Sequence, residues 1–199
     1  MYYVVRESFI EQGVIFFGGF AHSLYSKFNK KVKYVESEKT PDFDIICEDH
    51  ERCAIIVKEK LMDKGFSEKT VQIVEYENID DVIPRHSQIV VGKTTVARIF
   101  EPIACHSYNI VKIGHKEMNI ATIDTILSFY LAFIYVKKPY FNKERMLCIA
   151  QNLFYILQKN RLAQDGILKR FTISCYGKQP TLESMRAEKT QKFKELTKH

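Results

Sequence analysis

Two aspartates, Asp42 and Asp44, are the side chains in this sequence with the clearest spacing for chemistry. They flank Phe43 at the start of a short apolar run that ends at Cys47. Such a run is typical of a strand, and residues two apart on a strand point to the same face. Two carboxylates held side by side repel each other, and a divalent cation such as Mg²⁺ or Mn²⁺ relieves that repulsion. The spacing therefore predicts a cation site at Asp42 and Asp44.

A pair of glycines, Gly18 and Gly19, follows the apolar run 14–17 and precedes a helical pattern that ends near Ser26. Glycine lets the backbone approach a phosphate closely, and the N–H groups at a helix start bind phosphate oxygens. Ser23 is a candidate for a hydrogen bond to the same phosphates, although helix capping explains it equally well. Phosphate-binding backbone beside cation-binding carboxylates is the combination that phosphoryl or nucleotidyl transfer requires.

These residues need a mixed α/β framework to bring them together. Besides strands at 14–17 and 43–47, the hydrophobic patterns predict a helix at 50–64, strands at 71–76, 88–91, 94–100 and 107–113, and helices at 120–136 and 142–162. Gly92 and Lys93 are predicted to form a hairpin turn. We therefore expect an α/β core over residues 1–118 and a helical region with a basic tail over residues 119–199.

Composition favours an ordinary globular protein with an affinity for polyanions. Among 199 residues, 30 are Lys or Arg and 24 are Asp or Glu, which gives a formal net charge of +6. The most apolar stretch, residues 125–136, is shorter than the roughly 20 residues that a membrane span needs. The N-terminal residues carry charge before any long apolar region, and the Lys-rich segment 27–33 is predicted to be a solvated loop. We therefore expect a cytoplasmic protein with no membrane partner.

Five cysteines occur, and no pair of them has the spacing of a zinc ribbon. An odd number without that spacing favours reduced thiols over a disulfide framework.

The glycine and aspartate motifs together resemble the nucleotidyltransferase superfamily of the DNA polymerase β type. In that family a hydrophobic residue followed by Gly and then Gly or Ser precedes two aspartates that alternate with hydrophobic residues. Residues 16–21 and 42–46 match this pattern. Residues 96–109, 119–125 and 175–179 are in addition similar to the catalytic subunit of poly(A) polymerase from large cytoplasmic DNA viruses, namely giant viruses, asfarviruses and poxviruses. Members of that family are considerably longer than this chain.

The resemblance implies a nucleotidyltransferase fold and a template-independent transfer of AMP from ATP to an RNA 3′ end, with release of pyrophosphate. It further implies two Mg²⁺ or Mn²⁺ ions held by Asp42, Asp44 and a third carboxylate on a later strand. By order along the chain Glu101 fits that third position, on the expectation that it shares a face with both aspartates, whereas Glu75 and Glu77 are rivals. Implied partners are the RNA, ATP, and a homodimer or processivity subunit; an implied location is a viral factory or virion.

Two other functions remain open from the residues alone. A minimal nucleotidyltransferase that modifies tRNA or protein would use the same aspartates, and a scaffold subunit would keep the fold without catalysis. Residues 92–95 imitate the end of a P-loop, but Ser87 stands where that motif requires glycine, so a hairpin turn is favoured. Lys112 and Lys116 are within possible reach of a triphosphate, with solvation as the simpler reading.

Overall fold

The computed structural model describes residues 1–28, 42–80, 82–136, 142–179 and 181–197. Most of the Lys-rich segment predicted to be a loop, from residue 29 onward, lies outside the described residues. The described helices and strands follow in chain order: α1 (Tyr2–Glu11), β1 (Ile15–Phe17), α2 (Gly18–Ser26), β2 (Phe43–Ile46), α3 (His50–Asp63), β3 (Val71–Tyr76), β4 (His86–Val91), β5 (Thr94–Phe100), β6 (His106–Ile113), β7 (Lys116–Ala121), α4 (Ile123–Val136), α5 (Lys143–Lys159), β8 (Cys175–Tyr176) and α6 (Leu182–Leu196).

Across the described ranges, eight strands form one mixed sheet in the order β3-β4-β5-β2-β1-β7-β6-β8. Two pairings in the middle of the sheet join strands that lie far apart in the sequence, and both are parallel: β2 with β5, and β1 with β7. The adjacent pair β1 and β2 is antiparallel, so that Phe17 lies opposite Asp44. This order places β2, which carries the aspartates, in the middle of the sheet between β1 and β5.

The apolar run before the glycines is buried because its side chains pack on both faces of the sheet. Phe16 packs against Phe9 of α1 and Phe43 of β2, whereas Phe17 packs against Phe100 of β5 and Phe129 of α4. Since Phe17 and Asp44 are register partners, Asp44 lies on the face covered by α4. The face of the sheet that carries Asp44 is therefore the face opposite to α1.

Helix α2 is fixed to the sheet by a buried hydrogen bond as well as by apolar packing. The hydroxyl of Tyr25, which is fully buried, donates to the carbonyl oxygen of Ala121 at the end of β7 at 2.8 Å. A buried hydroxyl without such a partner would be costly. The bond anchors α2, and hence the glycine turn at its start, to the strand next to β1.

Most of the predicted elements are confirmed, but the back half begins with a strand rather than a helix. Residues 116–121 form β7, in which Met118 and Ile120 are buried and alternate with more exposed neighbours. That period of two is a strand pattern, and α4 begins at Ile123. The proposed division at residue 118 falls inside β7. Helix α1 was not predicted at all.

Two of the five cysteines differ from the expectation of reduced thiols. Cys105 and Cys175 form a disulfide, with their Cα atoms 5.4 Å apart. They are 70 residues apart in the sequence and meet because β8 pairs with the start of β6. Local cysteine spacing carries no signal for a pair that tertiary structure brings together. Cys47, Cys53 and Cys148 are free thiols.

Helix α6 occupies the predicted basic tail, and its described side chains are exposed to solvent. In the described part of the chain, none of the helices has both the length and the apolar character needed to cross a membrane.

The glycine turn generates a prediction about stability. Gly18 has a φ of +61°, and a Cβ added there would overlap the carboxylate of Asp44. Gly13 has a similar φ of +65° but open space around the same position. Gly13→Ala should therefore cost about 1 kcal/mol of unfolding free energy from backbone strain alone. Gly18→Ala should cost roughly 2–4 kcal/mol, because the overlap adds to that strain.

Chemical denaturation of both variants measures the difference. Asp44→Ala, introduced into the Gly18→Ala chain, should recover only the part of the loss that comes from overlap with the carboxylate, because the Cβ of residue 44 still lies too close to the added methyl group. Equal losses in Gly13→Ala and Gly18→Ala would show that the close approach of Gly18 to Asp44 does not exist in solution.

Candidate functional site

Asp42 and Asp44 lie at the floor of an open cavity of about 460 Å³ on the α4 face of the sheet. The prediction that these two carboxylates meet on one face is confirmed: the guanidinium of Arg98 contacts both of them. The cavity walls come from the β4–β5 turn, β5, α4 and the first turns of α5. Its lining residues are Gly19, Asp42, Asp44, Lys93, Thr94, Thr95, Arg98, Phe100, Tyr130, Phe133, Asn142, Arg145, Met146 and Ile149.

The start of α2 packs directly on Asp44. The backbone N–H of Gly19 donates a hydrogen bond to the Asp44 carboxylate, and Gly18 has no Cβ that would block this approach. The N-terminal end of a helix is the positive end of its dipole and favours a negative group. In this structure the glycine turn therefore stabilises Asp44, and Gly19 also lines the cavity.

Burial sets the protonation of this carboxylate. The pKa of Asp44 is raised to about 6, mainly by burial and also by the neighbouring Asp42 carboxylate. Arg98 and the Gly19 N–H oppose the shift because both interact favourably with the ionised form. The ionised form of Asp44 is thus stabilised by a nearby cation.

Arg98 is the principal feature that sequence reasoning missed. It is the register partner of Asp44 on the parallel strand β5. Its Nη1 atom lies 3.5 Å from Asp44 Oδ1 and also forms an ion pair with Asp42 Oδ2. All three side chains are mostly buried, since 30% of Arg98, 21% of Asp42 and 15% of Asp44 is exposed. A desolvated arginine thus balances the charge of the pair.

Glu101 is not brought to the aspartates. The register places Arg98 on the Asp44 face, so Ala97 and Ile99 lie on the opposite face, and the expected common face with Asp42 and Asp44 is wrong for that strand. The Glu101 carboxylate instead accepts hydrogen bonds from Arg85 at 3.2 and 3.3 Å.

The rivals are farther away still. Glu75 lies on the edge strand β3, which is separated from β2 by β4 and β5, and Glu77 follows that strand. Among the described residues, no group of three or more His, Cys, Asp or Glu side chains is arranged to hold a metal ion.

Ser23 also takes a structural position rather than a place on the cavity wall. Its hydroxyl donates to the carbonyl oxygen of Phe20 at 2.6 Å within α2. Nearby, the Nδ2 atom of Asn152 in α5 lies 3.0 Å from the Nε2 atom of His22. Burial lowers the pKa of His22 to about 4. The neutral imidazole therefore joins α2 to α5.

Basic side chains surround the mouth of the cavity. Lys93 lies in the hairpin turn between β4 and β5, and the two threonines after it begin β5; together they belong to the segment that imitates a P-loop. Arg145 lies in the first turn of α5, where the side chain of the N-cap residue Asn142 accepts a hydrogen bond from the Arg145 backbone N–H at 2.9 Å. The hairpin prediction is confirmed, but its contribution to the cavity was not foreseen.

The other lysines considered for a triphosphate lie elsewhere. Lys112 pairs with Glu117 and Lys116 pairs with Glu7, and neither lysine lines the cavity.

Comparison with known proteins shows a similarity to a solved structure. No protein-family profile and no curated protein matches this sequence. Among solved structures, the crystal structure of the Megavirus polyadenylate synthase matches with a TM-score of 0.70 and 14% sequence identity. The match covers 97% of this chain and 40% of the synthase chain, so this chain spans well under half the length of that protein.

At that level of identity the similarity concerns the fold. An eight-stranded mixed sheet in the described residues, with helices packed on it, matches part of a polyadenylate synthase over nearly the whole of this chain. The chain therefore has an α/β, nucleotidyltransferase-like fold of the kind found in a poly(A) polymerase.

Proposed function

We propose that this chain is a template-independent RNA adenylyltransferase. In the proposed reaction the 3′-oxygen of an RNA forms a bond to the α-phosphorus of ATP. The bond from that phosphorus to the β-phosphate bridging oxygen breaks, the hydroxyl proton is lost, and pyrophosphate leaves. The observation that carries the proposal is the presence of two same-face carboxylates, Asp42 and Asp44, against a Gly-Gly turn at the floor of a basic cavity.

The cavity has the size and charge for a nucleotide. Its volume of about 460 Å³ lies within the range of small-molecule sites. Lys93, Arg98 and Arg145 supply positive charge, and the first turn of α5 adds the positive end of a helix dipole. These groups would bind the triphosphate and orient its α-phosphorus toward the carboxylates.

The apolar part of the wall gives no signal for a particular base. Phe100, Tyr130 and Phe133 line the cavity together with two apolar side chains of α5, but each of the three rings is at most 5% exposed. Even an exposed aromatic ring stacks on nucleobases without strong selectivity. The choice of ATP and of an RNA 3′ end therefore rests on the similarity to a polyadenylate synthase. Exposed basic residues of α6, such as Arg186 and Lys189, would attract the RNA backbone.

A divalent cation fits the donor chemistry of Asp42 and Asp44, because hard oxygen ligands suit Mg²⁺ and Mn²⁺. When bound, it would lower the pKa of the RNA 3′-hydroxyl and stabilise the negative charge that develops on the leaving pyrophosphate. Arg98 already shows that this pair attracts a cation. The described residues supply no further carboxylate here, so the proposal includes neither Glu101 nor a second metal ion.

A second candidate is a nucleotide-binding subunit without catalysis. The ion pairs from Arg98 to both aspartates favour it, because they satisfy the carboxylates without any metal. Such a subunit would bind ATP in the same cavity and would transfer nothing. Measuring binding and transfer separately distinguishes the two candidates.

Asp42→Asn and Asp44→Asn should each lower the rate of AMP transfer by at least roughly 100-fold, because each removes a charged ligand at the reacting centre. The measurement is incorporation of labelled AMP into an oligoadenylate primer with Mg²⁺ or Mn²⁺ present. Asp63→Asn is the matched control, because Asp63 is exposed at the end of α3 and does not line the cavity.

Normal transfer by either cavity variant would contradict the adenylyltransferase assignment. An inactive wild-type chain that still binds a fluorescent ATP analogue would favour the non-catalytic subunit instead.

Lys93→Gln should raise the dissociation constant of a fluorescent ATP analogue by about 3–10-fold, because it removes one positive charge from the cavity mouth. Lys112→Gln removes an equal charge outside the cavity and should leave the affinity nearly unchanged. Fluorescence titration at constant ionic strength gives both values. Equal effects of the two substitutions would mean that the triphosphate responds to net charge and not to this cavity.

A further inference from the structure

Arg98 occupies a position where a nucleotidyl-transfer site would be expected to present a carboxylate. Strand β5 runs parallel to β2 and pairs Arg98 directly with Asp44. Any side chain at this register position faces the two aspartates, since paired residues of neighbouring strands share a face. The chain therefore brings a permanent positive charge to the centre of its acidic pair.

Arg98 contacts one oxygen of each carboxylate to which a metal ion would bind. Its guanidinium contacts Asp42 Oδ2 and lies 3.5 Å from Asp44 Oδ1. Guanidinium remains protonated in proteins and presents its donors in a fixed fork. A Mg²⁺ or Mn²⁺ ion bonded to these carboxylates would sit beside that charge with little water between them, where like-charge repulsion is weakly screened. The two carboxylates therefore cannot bind Arg98 and a divalent cation together with the affinity that each would have alone.

We infer that Arg98 is a built-in competitor of divalent cations at Asp42 and Asp44, and that a metal ion binds there only as Arg98 leaves. The inference rests on the proposed function only in treating these two carboxylates as cation ligands. It adds a regulatory step to that site, because binding of metal is tied to the position of one side chain.

The cavity contains space into which the Arg98 side chain can move. Arg98 is itself part of the lining, and the space beside it is the space assigned to the triphosphate. Phosphate oxygens accept hydrogen bonds from a guanidinium as carboxylate oxygens do. A nucleotide in the cavity thus draws Arg98 from the aspartates, and the vacated carboxylates then favour the metal. Nucleotide and metal are expected to favour each other's binding, as linked ligands must.

The test measures the binding of Mn²⁺ in the absence of nucleotide. Electron paramagnetic resonance gives the concentration of the free ion. Arg98→Gln removes the competing charge and should bind Mn²⁺ at least tenfold more tightly than the wild-type chain. Combining Arg98→Gln with Asp42→Asn should abolish that gain. In Arg98→Gln, Mn²⁺ should also raise the melting temperature, since the ion replaces the lost counter-charge between two mostly buried carboxylates.

Arg85→Gln is the matched control. It frees the carboxylate of Glu101 but leaves the aspartates paired with Arg98, so its Mn²⁺ affinity should equal that of the wild-type chain. If Arg98→Gln does not fold, Arg98→Lys keeps the charge while losing the forked geometry and should show a smaller gain. Wild-type affinity in every folded Arg98 variant, or an equal gain in Arg85→Gln, would overturn the inference. These outcomes do not depend on AMP transfer, so they are separate from a failure of the proposed activity.

Discussion

Repulsion between two neighbouring carboxylates is the constraint on which the architecture of this site depends. Asp42 and Asp44 lie on one face of a central strand, mostly shielded from water, where their charges are poorly screened. The protein balances them with one guanidinium from β5 and one backbone N–H from the start of α2. Burial, and after it the neighbouring Asp42 carboxylate, raises the pKa of Asp44 to about 6.

Each of these responses requires a particular local structure. The N–H of Gly19 reaches Asp44 only because Gly18 adopts a positive φ and has no side chain at the point of contact. Arg98 reaches the pair because β5 runs parallel to β2 in one specific register. Tyr25 then fixes α2 to β7 through a buried hydrogen bond, so the glycine turn cannot move away from the strand. The fold thus positions the groups that offset the charge of the two aspartates as well as the side chains of the hydrophobic core.

The parts of the site that are local in sequence could be predicted, and those set by register could not. The alternation of Asp42, Phe43 and Asp44 and the glycine pair after an apolar run identified the strand, the turn and the cavity floor. The identity of the third residue depended on how β5 aligns with β2, and a shift of one residue exchanges the faces of a strand. For this reason Glu101 was predicted where Arg98 is found.

The remaining misses have the same origin. Lys93 and Arg145 join the cavity from a turn and a helix that lie far apart in the chain, and each alone resembles an ordinary surface residue. Strand β7 was mistaken for the start of a helix because its apolar residues lead directly into α4. Cys105 and Cys175 meet only through the pairing of β6 with β8.

We propose that the acidic pair, the arginine between the two carboxylates and the basic cavity form one nucleotide-responsive cation site. A crystal structure of the chain with Mn²⁺ and a non-hydrolysable ATP analogue, with anomalous scattering used to locate manganese, would test this proposal. We expect a manganese ion bonded to Asp42 and Asp44, with Arg98 turned onto the phosphates. Arg98 still paired with both aspartates, and manganese absent from them while the analogue fills the cavity, would contradict it.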